Sequence, residues 1–482
     1  MPAAVVLLVG ARAAVFLVWP ESYFDADQAV VGLMAKHLSE LRALPVFFYG
    51  QTYMLGVEAW LAAPLFLLFG PTITALKLPL LAINVAIAGL LFACVRRELG
   101  LSAPQSAMAV LPFALPSVGL SALLMDSNGG NVEPYLYLIL IWMLRRRPLL
   151  CGLVFGVGFL NREFTAYGLA ALAILDAAER TLFTAAGARR WGQLVGAAAV
   201  IWLAVQGVTR LSSASGPGTS WRETLTASNN LAELAARTCV SPVTAAAGAG
   251  KLFTIHWPAL LGTAPYPLTA FSIESRGTQG LTGSSWLPLA LVLLSAAGIL
   301  FARRDPTRPP PRFAQYLVLA GACSVAGYLF GRCGEVNFYA ARYELLSVLA
   351  LVGLTAWFLS VRPAAPLLTL WSITFAAWMV VVAVPQARFV AEYASGRAPV
   401  PAKHALVQVL RAQGVRYGRA DYWLAYYIDF LTRERIIIAS DAPQRILFYN
   451  TLVGEHAAEA VRLSRRRCDG GVLLVPGVYR CP

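Results

Sequence analysis

The chain has 482 residues, of which 58% are hydrophobic and only 13% charged, with a formal net charge of +14. A soluble chain of this size carries about a quarter charged residues, so the composition excludes an ordinary soluble enzyme. The positive charge by itself suits a nucleic-acid partner, but its distribution argues against one, because the arginines sit in short loops between apolar runs and form no basic face with interleaved aromatics.

Apolar runs recur from Val5 to Val384, each roughly long enough to cross a bilayer core. The first reads as a span rather than a cleaved signal, since it lacks a basic leader and Trp19-Pro20-Glu21 is not a small-residue cleavage site. Arg12 within it is costly, roughly 2.5–3.5 kcal/mol at mid-membrane. It is expected to snorkel, unless the true start lies upstream. Arginines at Arg96-Arg97, Arg145-Arg146-Arg147, Arg180 with Arg189-Arg190, Arg303-Arg304 with Arg308 and Arg312, and Arg362 mark one side, assigned to the cytoplasm. Spans then fall near 3–19, 72–95, 104–124, 131–144, 149–161, 164–178, 193–210, 286–302, 313–331, 343–359 and 366–384, about eleven in all. Those at 131–144, 149–161 and 164–178 are short and are expected to stop beside a cavity, where protein or water covers irregular backbone.

The opposite side carries 20–71, 125–131, 161–163, 211–285 and 332–342. Within 25–69, polar Asp27, His37 and Glu40 interleave with Val30, Leu33, Met34, Leu38 and Leu41, which predicts amphipathic helices lying along the interface. Near Val400 the composition changes. A helix over Lys403–Gln413, an extended stretch over Val415–Ala420, a helix over Tyr422–Thr432, a β-branched strand over Arg435–Ser440 and a further strand at Val472–Val475 predict a small α/β domain. The expected fold is an all-α polytopic membrane domain over 1–385 and an α/β domain over 386–482. An odd number of spans starting inside places the second domain outside the cytoplasm. Cysteines there permit pairing, Cys468 with Cys481 and less readily Cys239 with Cys333. No Cys or His spacing indicates a metal site, and no cofactor is implied; a divalent metal is compatible but not indicated.

Tyr23-Phe24-Asp25-Ala26-Asp27-Gln28, followed by an apolar helix, holds the first candidates. A carboxylate opening a helix at the membrane surface suits a general base acting on an acceptor; equally, it suits a helix cap. This loop resembles the first extracytoplasmic loop of GT-C glycosyltransferases that use polyprenyl-phosphate sugars, a group including protein O-mannosyltransferases and the lipid A aminoarabinose transferase. Their loop carries an Asp-Glu pair before a small or aromatic residue and an apolar helix. Asp27-Gln28 with Gly32 beyond matches it, with Gln28 where the family usually has Glu. The resemblance implies that Asp27 is the base, with Asp25 as a substitute. It continues through Pro45 to Tyr53, Glu58 and Leu76-Lys77-Leu78, so Gln28, Tyr49, Gln51 and Glu58 become candidate substrate contacts. Coverage extends loosely over about the first 385 residues.

Later turns add polar groups to the same face. Asp126, Asn128 and Asn131, with Glu133, suit sugar hydroxyls or a metal; a glycine-rich capped turn is the structural alternative. Arg162 and Glu163 join two short spans at depth, where charge implies function or an ion pair. Arg342-Tyr343 resembles the Arg-Tyr pair before a late span of these transferases, and arginine binds phosphate oxygens bidentately. Arg342, Tyr343 and Arg162 are thus candidate donor-phosphate ligands, with Arg342–Glu344 pairing as an alternative. His256 reads as structural, and the aromatic stretch Ala420–Tyr427 as core, with stacking of its rings on sugar faces as the alternative.

These readings converge on a transferase moving a sugar from a polyprenyl-phosphate donor to an unidentified extracytoplasmic acceptor, as a multi-pass protein of a bacterial inner membrane in contact with membrane lipid. A secondary transporter or lipid flippase predicts inverted repeats, which are not evident. A non-catalytic scaffold of an envelope glycan assembly machine predicts tolerance of substitution at Asp27.

Overall fold

The computed structural model describes residues 2–51, 54–214, 242–262, 286–302, 310–331, 338–397 and 402–482. Most of it is helical. Helices α1 (Pro2–Val18), α4 (Ile73–Leu99), α5 (Ala103–Ala114), α7 (Glu133–Leu144) and an α14–α15 pair (Arg312–Gly331 and Val348–Ser360) pack around one apolar core. Local signals set their ends. Thr72 caps α4 by accepting from the Ala75 N–H at 3.1 Å, and Gly100 closes it in the left-handed region. Ser102 and Gln105 form a capping box at the start of α5.

Among the described residues, five helices are long and apolar enough to cross a membrane: 73–99, 185–209, 312–331, 340–360 and 365–394. The expected span at 104–124 is instead two helices, α5 and α6 (Val118–Leu124), bent by 81°. The cause is local: Pro116 has no N–H to continue the ladder, and Ser117 caps a new helix by accepting from Leu120 N–H. The freed Pro116 carbonyl accepts from Gln386 Nε2 at 3.0 Å. Counted as one span, the pair makes six. The remaining expected spans coincide with apolar helices of 10–17 residues: α1, α7, α8 (Pro148–Asn161), α9 (Thr165–Ala178) and α13 (Trp286–Phe301). Length and composition alone therefore support fewer spans than the eleven expected. The last long helix, α16 (Ala365–Ala394), runs through Pro385, so 386–394 continue it.

Arg12 does not snorkel. It is 3% exposed, donates to Asn84 Oδ1 at 2.6 Å and lies 5.5 Å from the Phe113 ring. Asn84 in turn donates to the Leu80 and Leu124 carbonyls. A buried polar network replaces hydration at the point where the hydropathy of α1 looked faulty.

The carboxy-terminal residues form α17 (Ala402–Ala412), β1 (Tyr417–Ala420), α18 (Tyr422–Leu431), β2 (Ile437–Ser440), α19 (Leu447–Glu455), β3 (Val461–Ser464), β4 (Val472–Val475) and β5 (Val478–Cys481). The sheet order is β2-β1-β3-β5-β4, with β1 parallel to β2 and β3, and β5 antiparallel to β3 and β4. Cys468 and Cys481 form a disulfide across the last hairpin; Cys239 and Cys333 lie outside the described residues.

One expectation is reversed. Helix α2 (Ala26–Ser39) was predicted to lie along the interface with a wet face, yet nearly all of it is buried. It is sandwiched between α3 (Val57–Phe69) and α18, sharing a core of Phe24, Val30, Met34 and Phe66 with Tyr427 and Phe430. Gly32 makes this possible, since a Cβ there would lie 2.5 Å from the Phe430 ring. His37 is satisfied by the carboxy-terminal residues rather than by water, while Glu40 stays exposed and pairs with Lys36 and Arg42. Glu434 accepts from Lys36 Nζ, His37 Nε2 (3.1 Å), Arg42 (2.8 Å) and the Tyr449 hydroxyl (2.8 Å). By contrast α3 keeps an apolar outer side, with Leu61, Leu67, Leu68 and Phe69 exposed, as an interfacial helix requires.

Candidate active site

The site forms where the start of α2, the turn 125–131, the 3-10 turn Phe338–Ser347 and the second domain meet. Backbone carbonyls fix the approach to α2. The Tyr23 carbonyl accepts from Lys77 Nζ at 2.8 Å and from Gln28 Nε2 at 2.9 Å, and the Phe24 carbonyl accepts from Lys403 Nζ. The two aspartates of the loop then divide their duties. Asp25 caps α2 by accepting from the Gln28 N–H at 3.0 Å. Asp27, one step into the helix, is free of that task and is partly exposed. Its Oδ1 accepts from the Tyr422 hydroxyl at 2.5 Å, and its Oδ2 lies 3.8 Å from an Arg342 terminal nitrogen. The helix-cap alternative thus describes Asp25 and leaves Asp27 available.

Asp126 completes a group of three carboxylates, close enough to Asp25 and Arg342 for mutual electrostatic effect. Its Oδ2 accepts from Asn128 Nδ2 at 2.9 Å, while its Oδ1 is buried without a hydrogen-bond partner. Burial first, then Asp25, pushes the Asp126 carboxyl above the usual carboxylate range; burial and then Asp27 do the same to Asp25. Facing them are Lys77, Arg342 and Lys403, whose amine burial pulls down to about 8. Arg342 also leans on Tyr343, whose hydroxyl it reaches at 3.4 Å, and its Nε is buried without a partner. Arg342–Glu344 pairing does not form: Glu344 faces His256 at 3.2 Å, one turn from the site.

The turn itself is built from beneath. The buried Glu58 carboxylate accepts from Ser127 Oγ (3.0 Å), Gly129 N–H (3.0 Å) and Gly130 N–H (2.8 Å), which aims Asp126 at the loop. Glu133 lies beside Glu58. Arg162 packs against this under-layer, with Nη1 3.0 Å from the Met54 sulfur and the guanidinium 5.4 Å from the Phe164 ring. Gly130, at φ +112°, is required there because a Cβ would lie 2.6 Å from Arg162 Cγ. Glu163 is half-buried in the next position. Asn131 donates to the Leu123 carbonyl at 3.1 Å. Tyr49 belongs elsewhere, bonded to His37 Nδ1 at 3.0 Å in the Glu434 cluster. Gln51, with its amide turned to satisfy both partners, accepts from Arg445 at 3.0 and 3.1 Å.

Two solved proteins resemble the chain. No family model matches it and no curated protein sequence does. ArnT from Cupriavidus metallidurans, solved bound to undecaprenyl phosphate, is 14% identical, with 99% of this chain and 98% of that one covered at a TM-score of 0.44. The oligosaccharyltransferase AglB from Archaeoglobus fulgidus, solved with an inhibitory peptide and a dolichol-phosphate, is 12% identical, with 96% and 69% covered at 0.48. At these scores neither transfers a residue role or a reaction to this chain.

Sequence reasoning missed four residues at the site: Lys77, Lys403, Tyr422 and Arg445. Lys77 had a signal, a lysine inside the apolar run Leu76-Lys77-Leu78 that is wholly buried here. The other three come from the carboxy-terminal residues; Tyr422 lay in an aromatic stretch read as core, and nothing local announces Lys403 or Arg445.

Proposed function

We propose that this chain is a GT-C-type membrane glycosyltransferase that moves a sugar from a polyprenyl-phosphate donor to an extracytoplasmic acceptor. The observation that carries the reading is the Asp27–Arg342 juxtaposition at the mouth of a carboxylate and cation cluster with unpaired buried polar atoms. In this reading Asp27 takes the proton from the acceptor hydroxyl as its oxygen bonds to the anomeric carbon. The bond from that carbon to the phosphate oxygen breaks, and polyprenyl phosphate leaves with the bonding pair. Arg342 and Lys77 are the cations that receive the developing phosphate charge. Asp126 with Asn128 contacts the sugar, and Arg162 supports that turn from the layer beneath. The eleven-span arrangement, the outer location of the second domain and a bacterial inner membrane belong to this proposal.

The test is transfer of radiolabel from a panel of polyprenyl-phosphate sugars to a membrane extract of the host, with parent and Asp27→Asn. Transfer by the parent alone supports the reading. Equal transfer by both removes Asp27 from the mechanism, and flux of substrate across vesicles without transfer replaces the reading with a transporter.

A further inference from the structure

We propose that Tyr422, supplied by the carboxy-terminal domain, is a positioning residue that holds the Asp27 carboxylate in the direction needed for proton removal; this rests on the transferase reading above. The geometry is specific. The Tyr422 hydroxyl donates to Asp27 Oδ1 at 2.5 Å across the domain boundary. It is held from behind, since Asp421 caps α18 by accepting from the Trp423 N–H at 2.9 Å and fixes Tyr422 as the first helical residue. Its ring is wedged edge-on against Trp423 and Tyr426, and the Arg445 guanidinium lies 5.8 Å above it.

Asp27 needs such a partner. A carboxylate in the first turn of a helix is drawn towards the free N–H groups at that end, and only the local rotamer decides whether it faces them or the site. Asp25 already satisfies the Gln28 N–H. Tyr422 anchors one oxygen, Arg342 approaches the other, and a carboxylate has about four lone-pair sites. Lone pairs therefore remain for an acceptor hydroxyl while the orientation is set. A phenol does this without adding a second full positive charge beside the base. Burial, and then Asp27, pushes the Tyr422 phenol well above its ordinary value, so it stays a donor. Read this way, the second domain is part of the catalytic apparatus, although it bonds the base and does not touch the reacting atoms.

The experiment compares parent, Tyr422→Phe, Asp27→Glu and the double variant, full-length in detergent or nanodiscs. It measures sugar transfer, thermal unfolding, and binding of undecaprenyl phosphate as the probe of the donor site. Expected for Tyr422→Phe is a fall in kcat on the order of ten- to hundredfold, the loss of one hydrogen bond to a charged group. Probe binding stays within about twofold and unfolding is unchanged. In the Asp27→Glu background the same change costs less than about threefold, because the two residues act as one unit. A kcat within about threefold of the parent overturns the proposal. So does an equal loss in both backgrounds, or a loss that resides in probe binding. If Tyr422→Phe does not fold, Tyr422→His enters the same cycle and is judged by the same coupling. Parent-level transfer by Asp27→Asn is a separate result: it defeats the base reading itself, before Tyr422 is at issue.

Discussion

Replacing Glu434 by Gln tests how the second domain is fastened to α2. Glu434 gathers Lys36, His37, Arg42 and the Tyr449 hydroxyl, and its side chain is only 8% exposed. Removing one partner of a buried ion pair typically costs about 3–5 kcal/mol, because the other charge stays buried without compensation. The low end applies here. Lys36 keeps Glu40 at 2.8 Å, and Arg42 is over a third exposed, so its share is screened. A loss of ~3 kcal/mol raises the opened population roughly a hundredfold. Amide hydrogen exchange reads this directly. In Glu434→Gln, amides of α2 and α18 exchange faster by about that factor, while those of α4 and α14 are unchanged. Exchange within about threefold of the parent, or acceleration spread evenly over α4 and α14, would refute the claim that this cluster holds the junction.

Acid should loosen the same junction. Burial holds His37 below its ordinary value despite the pull of Glu434, and Glu434 is held well below the carboxylate range by the His37 hydrogen bond, Lys36 and Arg42, against its own burial. In both cases the unfolded state binds protons more readily, so stability falls as pH drops, first below about 6.5 through His37 and then below about 4.5 through Glu434. Tryptophan emission or exchange at pH 7, 5.5 and 4 checks the order, and a pH-independent junction contradicts it. Asn84→Leu leaves Arg12 buried beside Phe113 without its partner, an expected loss of about 3–5 kcal/mol seen as a lowered melting temperature and poor monodispersity. Gly130→Ala forces a side chain into a left-handed turn against Arg162, costing about 1–3 kcal/mol of local strain and, if Asp126 contacts substrate, most of the transfer activity. Donor titration of that variant shows whether the loss lies in binding.

Much of the helical framework was readable because apolar runs of span length advertise themselves: α4, α13 and α14 fall within a few residues of expectation. The helix and strand order from Lys403 to Ser440 was readable from β-branching and capping residues. The grouping of Asp25, Asp27, Asp126 and Arg342 was also within reach, since each ends or opens a helix on one face. What escaped was long-range. His37 read as part of a polar interfacial stripe because its partner Glu434 lies 397 residues away. Arg12 looked misplaced because Asn84 is on another helix. Tyr422 was assigned to core packing, which is right for its ring but misses its hydroxyl. The break at Pro116 was missed because the run around it stays apolar through the bend.

The apolar core shared by α2 and α18 has a consequence for how the molecule is made. Helix α2 leaves the ribosome well before the helix that covers it. In the interval its Phe430-facing side has no native cover until α18 is made. A chain cut short before α18 therefore keeps an early loop bare. A tag at the carboxy terminus would report only chains that carry the covering helix, where one at the amino terminus would report every chain begun.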